Sequence, residues 1–167
     1  MHDSTAFATA SSAPVFSASE VVLSAQGIAP RSFRFPVADD APVAGDLVSV
    51  ARYEALKSAG TLAAGVGIVV GPADDAAALK PYLDELPAIG IDFPAWKDGR
   101  GYTHARRLRH HFGYQGPIIA VGDVLRDQLQ YMWRSGMDAF HLRGDQDPQG
   151  CLNAFRLFSV FYQYPPK

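Results

Sequence analysis

Ile91-Asp92-Phe93-Pro94-Ala95-Trp96-Lys97-Asp98-Gly99-Arg100-Gly101-Tyr102 is the stretch whose reading decides the fold. An apolar run from Ala88 to Phe93 leads into a proline, then an Asp-Gly-Arg-Gly turn, then a basic helix over His104 to His111. The layout recurs at once. Pro117 to Val121 reads as a buried strand, Gly122-Asp123 as its turn, Val124 to Arg134 as a helix, and Asp138 to Leu142 as a third strand. Strands alternating with helices of about a dozen residues indicate parallel βαβ units. Polar residues then collect where the strands end and the helices begin, which is where open α/β sheets usually bind ligands.

Outward from this stretch the pattern continues. Leu47 to Val50 and Gly65 to Val70 read as strands, and Arg52 to Ser58 as a helix. Asp74-Asp75 caps a helix that carries Ala76, Leu79, Leu83 and Leu86 on one side. A last helix over Gln149 to Tyr162 stops at Tyr164-Pro165-Pro166. The expectation is an α/β domain with an open, mostly parallel sheet of about five strands and helices on both faces. Residues 1–14, rich in Ala, Ser and Thr, read as a mobile tail. Residues 15–43 read as a small N-terminal β appendage, with short strands at Val15-Phe16, Glu20 to Leu23 and Ser32 to Val37. The βα core is expected over 44–167.

The 167 residues are 48% hydrophobic and 19% charged, which is the composition of one globular domain. Fifteen basic and seventeen acidic side chains give a net charge of −2, so no overall field gathers nucleic acid. The single cysteine, Cys151, excludes a disulfide framework and a cluster held by four cysteines of this chain. No apolar run approaches the ~20 residues of a membrane span, and Met1-His2-Asp3-Ser4 opens no signal peptide. A cytoplasmic protein is expected, without membrane or nucleic-acid partners.

Gly65-x-Gly67-x-x-x-Gly71 has the wrong spacing for a dinucleotide fingerprint and lies within the strand instead of after it. Asp98-Gly99-Arg100-Gly101 is more informative, because glycines around an arginine bring backbone amides close to a ligand. Arg100, Arg106 and Arg109 could fork onto an anion; Arg106, Arg109 and His110 share one helix face. The bland alternative is a solvated face with Asp98 shaping a turn. Asp123 fits a helix N-cap or, with Asp98 and Arg100, one shared cleft. The anion-binding candidates are therefore Asp98, Arg100, Arg106, Arg109, Asp123 and Arg126. The histidines lack ligand spacing, so neither a metal nor a resident cofactor is expected. Phe155, Phe158, Phe161 and Tyr162 recur at helical spacing, as a core stripe or a docking surface would. Such a stripe is most often core, but Tyr131, Met132 and Trp133 cannot all face one sheet, which strengthens the docking alternative. Asp127, Gln128, Trp133, Phe158 and Tyr162 are the partner-binding candidates.

Several linked motifs resemble the DUF934 family of bacterial proteins of unknown function. They are Ile91-Asp92-Phe93-Pro94, Asp98-Gly99-Arg100-Gly101-Tyr102, Ala105-Arg106 with Leu108-Arg109, and Gly122 to Leu129. Gly136 to Phe140, Phe158-Ser159 and Tyr162-Gln163 extend the resemblance to roughly residues 45–163. Trp96-Lys97 departs from the family's Phe-Thr, and Met137 from its more frequent Phe. Members are commonly labelled oxidoreductases of sulfite reduction, because their genes sit beside assimilatory sulfite reductase. The resemblance thus implies an accessory, assembly or electron-delivery partner of the sulfite reductase hemoprotein. Without a dinucleotide fingerprint or enough cysteines, the chain is not expected to perform a six-electron reduction alone. The runner-up is an enzyme that binds a small sulfur oxyanion or phosphate through Asp98, Arg100, Arg109 and Asp123. A structural homodimer is the third reading.

Overall fold

The structure, a computed structural model, describes residues 20–37 and 39–156. The strand expected at Val15-Phe16 and the tail at 1–14 lie outside the described residues, as do Phe158, Phe161 and Tyr162. Among the described residues, seven strands form one sheet. They are β1 (Val21–Ser24), β2 (Gly27–Pro30), β3 (Leu47–Ser49), β4 (Gly67–Val70), β5 (Ile89–Phe93), β6 (Ile118–Gly122) and β7 (Ala139–Phe140). The helices are α1 (Val50–Ser58), α2 (Arg100–Arg106), α3 (Leu129–Arg134) and α4 (Pro148–Arg156).

The fold is α/β with a mostly parallel sheet, as the strand–helix alternation predicts. The strand count is not about five but seven. The order is β2-β1-β7-β6-β5-β4-β3, with β3 to β7 parallel and β1 antiparallel to both β2 and β7. The β1–β2 hairpin thus joins the main sheet instead of standing off it as an appendage. Ser32 to Val37 does not form the expected strand. It makes one bridge, Arg34 to Asp46, and Phe33 turns in to pack on the sheet.

Among the described residues the expectation of helices on both faces is also corrected. Five parallel strands lie in sequence order, and right-handed crossovers in one direction put every connecting helix on the same side. The side chains agree. Ile68, Val70, Ile89, Ile91, Phe93, Ile118, Ala120 and Phe140 form one core with Tyr53, Leu79, Leu108, Met132 and Phe155 from the helices. Alternate strand positions Leu47, Val69, Ile119 and Val121 face away, with Phe33 from the β2–β3 segment packed against them. This winding has no strand-order reversal within its parallel part, so the ligand crevice that a doubly wound sheet forms there is missing.

Local chemistry sets the element ends. The Ser49 hydroxyl caps α1 by accepting from the Arg52 amide at 3.3 Å. The helix expected after Asp74-Asp75 is a 3-10 helix at Ala76–Tyr82, capped by Asp75. Pro81, which has no N–H, lies inside it and opposes regular α geometry. α2 starts at Arg100, four residues before the expected start, and widens into a π-turn at Arg107–His111. Arg34 fixes the Phe33 segment by forking onto Asp46, which is fully buried and also accepts from the Val43 amide. That pairing holds the Asp46 carboxyl below the usual carboxylate range.

Candidate functional site

The C-terminal ends of β5, β6 and β7 carry most of the polar residues singled out above. Asp98 accepts from the Arg100 amide at 3.1 Å and from its guanidinium at 3.0 and 2.7 Å. Those bonds hold the Asp98 carboxyl down to about 2. Arg100 is therefore committed to its own turn. Gly99 has an ordinary negative φ of −79°. Gly101 is a packing glycine: a Cβ there would come within 2.6 Å of the Phe93 ring.

Asp123 is a tie between loops, and among the described residues it makes no helix-capping bond. It accepts from the Trp96 amide and from Arg143, both at 2.8 Å, and Arg143 also forks onto Asp145 at 2.7 Å on each nitrogen. Gln128 joins the same assembly, donating to the Trp96 carbonyl at 2.6 Å. The loops after β5, β6 and β7 are thereby laced together. No hydrogen bond among the described residues joins the Asp98–Arg100 pair to Asp123. Sequence reasoning missed Arg143. The signal was present: Arg143-Gly144-Asp145 follows the third strand as Gly122-Asp123 follows the second.

Arg109 sits elsewhere. Its guanidinium donates to the carbonyls of Gly136, Tyr114 and Gly116 and to Asp138 at 2.5 Å, and Asp138 accepts the Ile118 amide at 2.8 Å. Ile118 begins β6, so Arg109 lies at the opposite sheet edge from Arg100. The structure does not bring the two arginines into one cleft. Arg106 is exposed on α2, while the adjacent Arg107 reaches Asp75 at 3.1 Å.

Of the docking candidates, Trp133 is half-buried, edge-on to Phe155 with ring centroids 5.6 Å apart. Met132 is fully buried, which leaves Tyr131 as the outward member of the trio, 54% exposed and against Tyr102. Trp96 is 56% exposed at the same edge. Arg126 and Asp127 are exposed and line a shallow groove of about 450 Å³ with Gln130, Arg143 and Gln146. Burial, with the Tyr131 phenol and the Asp127 charge nearby, raises the Tyr102 phenol. Cys151 is buried and its thiol pushed up, the reverse of an activated thiolate. No group of three or more His, Cys, Asp or Glu among the described residues is placed to hold a metal. No described helix is long and apolar enough to cross a membrane.

A family of bacterial proteins of unknown function (DUF934) matches residues 67–166, more than half of the chain. The chain belongs to the DUF934 family. No curated protein matches it. The matched span of this DUF934 protein contains β4 to β7 and hence all three laced loops. Gly65, β3 and the Phe33 segment precede it.

The face away from the described helices carries a residue that sequence reasoning left unassigned. Asp92 alternates with Ile91 and Phe93, so its side chain emerges on the face away from the helices. It lines a cleft of about 580 Å³ with Phe35, Leu47, Ser49, Val69 and Val121. Burial pushes its carboxyl up. The signal was a lone carboxylate inside an apolar strand, Ala88 to Phe93. A carboxyl raised by folding loses stability for the fold as pH rises from its unfolded pKa, about 4, through its folded value. Asp92→Asn removes that penalty. Urea unfolding should show the variant more stable than the wild type at pH 7, with the difference closing near pH 3.5.

Proposed function

We propose that this protein is a cytoplasmic accessory of assimilatory sulfite reduction that docks on the sulfite reductase hemoprotein and aids its assembly or electron supply. The observation that carries the reading is the state of the edge arginines. Arg100 is forked onto Asp98, and Arg143 onto Asp145 and Asp123, so their charges are matched within the edge. An enzyme that clamps a small anion needs such guanidiniums to face its substrate. The same edge instead exposes Trp96 and Tyr131 beside Arg126 and Asp127, and Trp, Tyr and Arg are the side chains that dominate interface energetics. The link to sulfite rests on what the DUF934 resemblance implies, and the pairing of the arginines favours docking over turnover of an oxyanion.

Surface plasmon resonance with purified hemoprotein tests this reading. Tyr131→Ala and Trp96→Ala should each weaken binding by about tenfold or more, as truncation of an aromatic anchor does. Arg100→Ala should leave binding and complementation of a deletion strain within about twofold, since exposed ion pairs contribute little. If Arg100→Ala abolished complementation in a protein that still folds, the anion-binding enzyme would be the better reading.

A further inference from the structure

The cleft around Asp92 belongs to neither the laced edge nor the docking surface, and its chemistry points to a ligand. Its walls are mostly apolar, with Phe35, Pro36, Leu47, Val69 and Val121 beside Ser49 and Arg52. Its volume, about 580 Å³, lies in the range of small-molecule sites. Asp92 is the carboxylate in that lining, and among the described residues no hydrogen bond or ion pair holds it. The backbone at its side is fitted to it. Gly122 runs at φ +92°, and a Cβ there would stand 2.8 Å from Asp92 Oδ1. The nearest cation in the lining, Arg52, is spent elsewhere: its guanidinium donates to the carbonyls of Pro36, Val37 and Asp40 and pins that segment over the cleft. A half-buried carboxylate without a partner, inside apolar walls, is costly to keep charged. The complement to that arrangement is a molecule with an apolar body and a protonated nitrogen.

We propose that the cleft on the face away from the described helices is a binding site for a small apolar amine, with Asp92 as its counter-ion. The amine's N–H groups donate to the carboxylate, and its hydrocarbon part covers Val69, Val121 and Leu47. Apolar walls beside the carboxylate strengthen such a charge-assisted bond by lowering the local dielectric. The inference does not depend on the sulfite reading.

Benzylamine is a suitable probe, with benzyl alcohol and benzoate as its neutral and anionic counterparts. Methyl NMR of the full chain at pH 7 should show saturable shifts of Val69 and Val121 with benzylamine. Benzyl alcohol should bind at least about tenfold more weakly, and benzoate should bind more weakly still. Asp92→Asn, which keeps the shape of the side chain, should cut amine affinity by about tenfold or more while the methyl spectrum stays folded. Phe35→Ser, a change at an exposed lining position, should weaken all three ligands together. No saturable shift at Val69 and Val121, equal affinity for the three probes, or unchanged amine affinity in Asp92→Asn would each overturn the proposal.

Discussion

Gly122→Ala should destabilise the protein by about 3–5 kcal/mol, the largest effect expected from any single methyl added to this chain. Two causes add. At φ +92° an L residue is strained by about 1–2 kcal/mol. The new Cβ would also stand 2.5 Å from the Phe93 carbonyl oxygen, a backbone atom that cannot swing away. Relief requires β6 to separate from β5 at the Phe93–Gly122 pair, which also carries Asp92 and the Asp123 tie. Gly113→Ala separates the causes: φ is +71° there, but a Cβ would meet nothing within 4 Å. It should cost about 1–2 kcal/mol. Equal costs for the two variants in urea unfolding would show that the close approach at Gly122 contributes nothing.

Arg109→Ala should cost about 3 kcal/mol, for a different reason. The side chain is 13% exposed and holds three carbonyls and one carboxylate around the start of β6 and β7. Truncation leaves half-buried acceptors unpaired, and those losses exceed the value of an exposed ion pair. Arg109→Lys should recover less than half, because one ammonium on a flexible stem cannot span four acceptors in a planar fork. The check is the urea midpoint at constant slope. A neutral effect on stability joined to loss of function would return Arg109 to the role of ligand-binding group.

The chemistry of the chain was legible where local pattern decides it. Ala88 to Phe93 and Pro117 to Val121 are apolar runs followed by Gly and Asp turns, and they form adjacent parallel strands as read. What local pattern could not reveal was pairing. Glu20 to Leu23 reads as a strand, yet nothing in it says that the observed strand, Val21–Ser24, lies antiparallel beside Ala139 and Phe140. The one-sided winding has the same origin, since it follows from strand order and not from any one segment. Phe33 and Phe35 alternate as in a strand, but Arg34 is drawn to the buried Asp46 and the segment becomes a plug. Side-chain partners were the least legible. Arg100 and Arg109 share a helix-forming stretch, yet one closes its own turn and the other reaches four acceptors distant in sequence or around a bend. Asp92 was hidden by its neighbours, because Ile91 and Phe93 mark a buried strand without saying which face is open.

Growth of a deletion strain on sulfate, sulfite or sulfide as sole sulfur source tests the central claim most directly. Growth is expected on sulfide but not on sulfate or sulfite, and it should be restored by the wild-type gene and by Arg100→Ala but not by Tyr131→Ala combined with Trp96→Ala. Normal growth of the deletion strain on all three sources would contradict the claim.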